Sequence, residues 1–383
     1  MHLPNYKDGS IVNLISSIIK ALGGKPLYKP LKNLNPKELS TKNVVLLFID
    51  ALGYEFLKKN GKNTIFNKYL KGKITSIFPS ATAACVPTFF SGVAPQQHAI
   101  TGWFMYLKEI NTTSLILPFI SREDYNSIKK KIKPRVIFNQ KSMFDKIKVN
   151  SYLVMPKDIV NSNLTIAMAG KAKRVGHENL GGYFKEIRKI ILSNNKRKFI
   201  HAYWNKYDSI CHDNGIKSRK AMNHFRDLNK KLTSFLKSIE GTDTTVIITA
   251  DHGAIDTEKS SRIKLSDHPK LKETLRLPLC AEARVVYCYV HPKKKKQFED
   301  YINKKFRRYC NMYKSKDLVK KNYFGLFKPN KKLFDRVGDY VLIMKKNYIL
   351  KDWIGNEKKK FNIGDHGGTS KEEMFVPLIV IKR

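Results

Sequence analysis

The chain predicts an α/β fold: a mainly parallel central sheet with helices on both faces, carrying a smaller inserted subdomain. Three observations predict it. Apolar runs rich in β-branched residues recur at 44–49, 199–204, 246–249 and 375–381. None shows the apolar–polar alternation of a half-solvated strand, so both faces of each strand are expected to be covered. Helix-like stretches such as 182–192 and 220–239 lie between them, and strand–helix alternation is the mark of parallel crossovers.

Taken in chain order, residues 1–36 read as a helical extension. Its apolar run is interrupted by Asn13, Ser16 and Ser17 at helical spacing and ends at Gly23, which predicts an amphipathic helix rather than a signal peptide. The 44–49 strand stops at Asp50. A segment FPSATAACVPTFF follows at 78–90 and offers four hydroxyl or thiol nucleophiles: Ser80, Thr82, Cys85 and Thr88. Residues 108–148 read as one excursion from the main fold. The strand at 199–204 leads to Asp208 and His212, and the strand at 246–249 to Ala250, Asp251, His252 and Gly253. Residues 291–350 are Lys-rich, carry a strand pattern at 340–344, and read as an inserted subdomain or lid. The chain then returns to Gly364-Asp365-His366-Gly367-Gly368 and a last strand at 375–381.

Composition narrows the function classes. With 383 residues, 42% of them hydrophobic, the chain can bury a sizeable core. No apolar run reaches the roughly 18 residues that span a bilayer. The five cysteines, at 85, 211, 280, 288 and 310, are odd in number and show no C-x-x-C spacing. Neither a disulfide framework nor a cysteine zinc site follows, and a reducing cytoplasmic setting is the expectation. Net charge is +41, from 73 Lys plus Arg against 32 Asp plus Glu. Such a balance attracts polyanions. The runs 129–131, 293–296 and 358–360 nevertheless lack interleaved aromatics, so they read as solvated faces rather than a base-stacking platform. Nucleic acid is not the favoured partner.

Each polar strand end has an ordinary structural explanation alone. Asp50 could cap a helix, and Asp208 and His212 could be a surface pair one helical turn apart. Together, three aspartates (50, 208, 251) and three histidines (212, 252, 366) stand at strand ends or beside glycines. Ligands gather beyond the carboxyl ends of parallel strands. Carboxylate and imidazole are zinc-type donors, with manganese the alternative. Six of them suit two metals of three ligands each, and two metals clamp both sides of a phosphoryl displacement.

The motifs VVLLFIDALGYEFL, FPSATAACVPTFFSGVAPQQHAITG, YWNKYDSICHDNG, TADHGAID and GDHGG, in that order, resemble the alkaline phosphatase superfamily. Within it they are most similar to the type I phosphodiesterase / nucleotide pyrophosphatase family. The resemblance runs from about residue 44 to the C-terminus and implies a single alkaline phosphatase-like domain. It implies that Asp50, Asp251 and His252 hold one metal together with Thr82, and that Asp208, His212 and His366 hold the other. It implies that Thr82 attacks phosphorus and forms a covalent phosphothreonine-type intermediate, which water then releases. The implied substrate is a small phosphate diester or nucleotide. A hydrolase of phosphonates or phosphomonoesters on the same scaffold is the alternative.

Physical chemistry favours Thr82 among the four candidates. Metals can ionise a hydroxyl, and a helix start offers backbone N–H groups to the developing charge. Pro87, a few residues on, is expected to weaken or kink that helix. Cys85 has no basic neighbour in sequence and reads as a small buried residue. A sulfatase signature, C-x-P-x-R, would need arginine where Phe89 stands. The family's asparagine after H-G-I is replaced by Trp103 in H-A-I-T-G-W. Trp103 is therefore either a substrate contact or, as preferred, a packed aromatic. Ala83, next to the nucleophile, is the other candidate substrate contact. His98 and His268 read as structural.

Overall fold

The computed structural model describes residues 1–383. Its central sheet has seven strands: β1 (Asn43–Ile49), β2 (Leu70–Thr75), β3 (Asn150–Pro156), β4 (Lys173–His177), β5 (Lys198–Trp204), β6 (Thr244–Thr249) and β7 (Phe375–Lys382). Their spatial order is β2-β7-β6-β1-β5-β3-β4. β1 pairs in parallel with β5 and β6, and β3 in parallel with β4 and β5. Every residue of β1, β5 and β6 is buried, which explains their unbroken apolar sequence. The predicted parallel sheet is present through the middle. The last strand differs: β7 runs antiparallel to β6 and β2.

Helix α1 (Ile11–Ala21) forms where the N-terminal pattern predicts it, and Gly23 follows it with a left-handed φ of 80°. It is not a surface helix, because every residue from Ile11 to Ile19 is buried. Two of its polar side chains are satisfied internally, while the buried Ser16 hydroxyl has no partner. Asn13 donates to the carbonyls of Tyr6 and Lys29, and Ser17 donates to Leu34 while accepting from the Leu31 N–H. The helix packs on α2 (Thr82–Ser91), and Gly92 at the end of α2 leaves room for Ile15 and Ile19.

A second seven-stranded sheet lies beside the first, in the order Cys310–Lys314, Tyr340–Met344, Val285–Cys288, Cys280–Ala281, Phe104–Leu107, Thr112–Leu115, Ile120–Ser121. All its pairings are antiparallel. Residues 291–350 supply two of these strands, and the rest come from 104–121 and 280–288. Alternate side chains feed two separate apolar clusters. Tyr287, Val341 and Ile343 enter one, and Val286, Cys288 and Leu342 the other. This is the period-two pattern of a sheet covered on both faces. All five cysteines are buried and unpaired, and no helix is long and apolar enough to cross a membrane.

One buried ion pair joins this second sheet to the segment before β7. Arg284 Nε lies 3.0 Å from Glu373 Oε1, and its Nη2 2.8 Å from Oε2. Glu373 also accepts from the Gly368 N–H at 2.7 Å. Both side chains are almost fully buried. Removing one partner strands a buried charge, at a cost of about 3–5 kcal/mol. Arg284→Ala is therefore expected to lower the unfolding free energy by that amount, as read from urea denaturation.

Candidate active site

The parallel strands end at one edge of the sheet, and the predicted ligands collect there. Asp50 follows β1 directly, and Asp251 and His252 follow β6 after Ala250. The chain turns sharply at Gly253, where a side chain would collide with the Glu372 carbonyl and with Gly53. Helix α3 (Lys206–Asn214), just after β5, carries Asp208 and His212 one turn apart. The Gly364–Asp365 segment pairs with Ile255–Asp256 and delivers His366.

Two donor groups result. In the first, His252 Nε2 lies 3.2 Å from Asp251 Oδ2 and 3.5 Å from Asp50 Oδ1. In the second, His212 Nε2 lies 3.1 Å from Asp208 Oδ2 and 3.2 Å from His366 Nε2. His366 Nε2 is also 3.9 Å from Asp208 Oδ1. The rings of His252 and His366 stack with centroids 3.7 Å apart, so the groups adjoin. His252 is also close enough to Asp208 and His366 to share a ligand with them.

Thr82 opens α2, following Ala81 in extended backbone. Its Oγ1 is 3.0 Å from His252 Nε2 and 3.4 and 3.5 Å from the two Asp50 oxygens. Pro87 does not end the helix, which runs on to Ser91. The loss is one backbone hydrogen bond, and Ser91 Oγ donates to the Pro87 carbonyl at 2.6 Å. The other nucleophile candidates are engaged elsewhere. Ser80 Oγ donates to the Gly368 carbonyl, and Thr88 Oγ1 lies 3.1 Å from the buried His98. Cys85 is fully buried, and burial, followed by the nearby Asp251, pushes its thiol well above the usual range.

The donor groups fit divalent metals. His212 Nδ1 is 2.8 Å from the Gly364 carbonyl, and His252 Nδ1 is 2.9 Å from the Gly253 carbonyl. In the neutral imidazole that a metal takes, donation from each Nδ1–H leaves the Nε2 lone pair facing the site. Asp208 Oδ1 and Asp251 Oδ2 are buried without a hydrogen-bond partner. Lone pairs converging on one another are unfavourable unless a cation lies between them. The proton affinities carry the same strain. Burial, followed by Asp251 and Asp208, holds Asp50 well above the usual carboxylate range. Burial also raises Asp251, against the pull of His252. Burial alone would raise Asp208, but His212 overrides it and holds that carboxyl low. Burial would lower His212, but Asp208 raises it to about 10.

Several residues here had no sequence signal. Tyr203, read as part of a strand, donates its buried hydroxyl to Asp50 Oδ2. Asn362 Nδ2 lies 3.0 Å from His212 Nδ1. Glu282 faces the site, and burial pushes its carboxyl up to about 8. Trp103 is not packed in the core as preferred. It is half-buried, lines the cavity, and donates its backbone N–H to Glu282 Oε1 at 2.8 Å. Its flanking glycine explains this, because Gly102 lies directly against Ala281 and holds the backbone to the second sheet. His268 sits in a loop, with Nδ1 2.9 Å from the Tyr301 hydroxyl. The donor groups open into a cavity of about 700 Å³ that Ala83 also lines.

Residues 44–369 match the model of the type I phosphodiesterase / nucleotide pyrophosphatase family. Solved structures share the fold. Murine ectonucleotide pyrophosphatase / phosphodiesterase 5, an inactive threonine-to-alanine variant in complex with AMP, is 16% identical with a TM-score of 0.66, over 88% of this chain and 87% of that one. The human counterpart is 15% identical with a TM-score of 0.63, over 88% of this chain and 87% of that one. Phosphonoacetate hydrolase from Sinorhizobium meliloti 1021, in complex with phosphonoformate, is 15% identical with a TM-score of 0.65, over 88% and 89%. No curated protein sequence matches the chain. The chain belongs to the type I phosphodiesterase / nucleotide pyrophosphatase family and is by that membership a hydrolase of phosphoester-type bonds.

Two expectations follow from this geometry. Tyr203→Phe frees Asp50 from its buried donor and is expected to weaken metal affinity about 10–100-fold, measured by titrating the metal-free protein with zinc. His212 holds a proton up to about pH 10, whereas a metal takes its neutral imidazole. Zinc binding at pH 7 is therefore expected to release protons and to tighten as pH rises toward 10. Calorimetry in buffers of different ionisation enthalpy reads that release directly.

Proposed function

We propose that the protein hydrolyses phosphodiester or pyrophosphate bonds with two divalent metals, most simply zinc, and with Thr82 as nucleophile. The observation that carries this reading is the position of Thr82. Its hydroxyl stands at the first turn of α2, within 3.5 Å of both His252 and Asp50. The threonine-to-alanine change in the inactive murine neighbour supports a threonine in this role.

Asp50, Asp251 and His252 would hold one ion, and Asp208, His212 and His366 the other. When bound, such ions neutralise the carboxylates, acidify nearby hydroxyls and draw charge from phosphoryl oxygens. The chain's own residues do the rest. Thr82 Oγ1 forms a bond to phosphorus while the bond to the leaving oxygen breaks. The first α2 amides to find a partner are those of Ala84 and Cys85, both on the Ala81 carbonyl. The N–H groups of Thr82 and Ala83 precede them and are placed to meet phosphoryl oxygen. Water then cleaves the Oγ1–P bond and restores the hydroxyl.

A monoester or phosphonate substrate is the second reading, and the cavity disfavours it. Those groups carry more negative charge than a diester and need added cationic donors. Lys351 is the one Lys or Arg lining the cavity, and its Nζ donates to the Lys360 carbonyl at 3.2 Å.

Thr82→Ala is expected to retain fold and metal but lose turnover by at least about 10³-fold, whereas Cys85→Ala retains most activity. The assay is bis(p-nitrophenyl) phosphate hydrolysis with and without chelator. A p-nitrophenyl nucleotide is expected to turn over faster than p-nitrophenyl phosphate. The opposite order would move the assignment to a monoesterase.

A further inference from the structure

The cavity that holds the metal ligands extends beyond them, and its far end is apolar. On α2, Thr82 and Val86 are one turn apart and share a face, so the helix presents the nucleophile and an apolar wall side by side. Ala83 lies against the same cavity with only a methyl group. A larger side chain there would fill cavity space beside Thr82. The same cavity is lined by Met155 near the end of β3, by Ile159 in the turn that follows, and by Leu164 and Met168 of the helix Asn163–Ala169, which together make an apolar wall.

The few polar groups on this wall are spoken for or lie at its mouth. Ser162 Oγ donates to Thr165 Oγ1 at 2.9 Å, and Asp158 is exposed. No Lys or Arg lies along this wall; outside the two donor groups the charged residues lining the cavity are Asp158, Glu282, Lys351 and Asp365, the last next to His366. A carboxylate substituent finds no cation here, and a nucleobase finds few partners for its ring nitrogens and carbonyls. Unmet polar groups of that kind are rejected strongly by an apolar wall. Unbranched thioethers such as Met155 and Met168 instead adapt to flexible apolar shapes. About 700 Å³ is also far more room than a phosphoryl group fills.

We infer that the substrate carries a large, uncharged, apolar alkyl or aryl group on phosphorus, seated between Val86 and the Met155–Met168 wall, beside Ala83. This inference rests on the phosphodiesterase reading and specifies its substrate class.

The test uses the metal-loaded full chain and two esters with one leaving group: methyl p-nitrophenyl phosphate and octyl p-nitrophenyl phosphate. The octyl ester is expected to show a kcat/KM at least about 30-fold higher, since each buried methylene adds to binding. Ile159→Lys, at a half-buried position, and Ala83→Phe, which fills cavity space, are each expected to lower that octyl-to-methyl ratio about tenfold or more. Equal turnover of the two esters by the unaltered protein overturns the inference and leaves the phosphodiesterase reading standing. So does faster turnover of p-nitrophenyl thymidine 5′-phosphate than of the octyl ester, because it shows a base to be recognised. Failure to cleave any of the three overturns both readings.

Discussion

Three buried aspartates, the largely covered Asp208 and three histidines meet at one end of a parallel sheet, and much of the structure can be understood from that concentration of charge. Asp50, Asp251 and Asp365 are each pushed upward by burial, while Asp208 is held low against burial by His212 first and then by His366 and His252. Such a cluster is costly without positive charge between its members. The backbone supports it from all sides: carbonyls of Gly253 and Gly364 orient two imidazoles, and Tyr203 steadies Asp50. Ions bound in this cluster would serve the protein's stability and its chemistry together.

Sheet register is what assembles the cluster. Ile49 pairs with Trp204, and Phe48 with Thr249, so β1, β5 and β6 end at the same level. Asp50, the start of α3 and the Asp251–His252 pair emerge side by side. A slip of one residue would turn each strand's side chains to the other face. Burial on both faces sets that register firmly. His366 arrives differently, on a glycine-rich segment that ends in the Glu373–Arg284 clamp.

The second sheet gives the site its walls. Through Arg284 it anchors the segment carrying His366. Through Glu282 and Trp103 it closes one side of the cavity. The +41 charge does not concentrate there, since Lys351 is the only lysine or arginine among the lining residues. A donor cluster rich in carboxylates and an apolar wall are what the proposed substrate, with a single negative charge and an apolar substituent, would meet.

The strands, the six metal-type ligands and the motif order were legible in the amino-acid sequence, because each depends on local pattern: apolar runs ending in Asp or His, and glycines where the backbone must pass closely. Thr82 reads as the nucleophile candidate because a hydroxyl needs the ions that such donors imply, and the fold sets its Oγ1 beside His252 and Asp50. What the sequence could not show depends on residues far apart in the chain. α1 reads as amphipathic, yet its polar face is covered, because Lys29, Leu31 and Leu34 fold back to satisfy Asn13 and Ser17. Residues 108–148 and 291–350 read as separate excursions, yet both contribute strands to one sheet, 112–115 and 120–121 from the first and 310–314 and 340–344 from the second, through pairings that carry no local signature. Trp103 reads by its size as a packed aromatic, but its place is decided by Gly102 against Ala281 and by Glu282. Tyr203 reads as one more apolar strand residue until the fold sets its hydroxyl against Asp50. Local periodicity determined the elements and the donors; only packing between distant segments decided which polar groups are satisfied, and therefore what the cavity can bind.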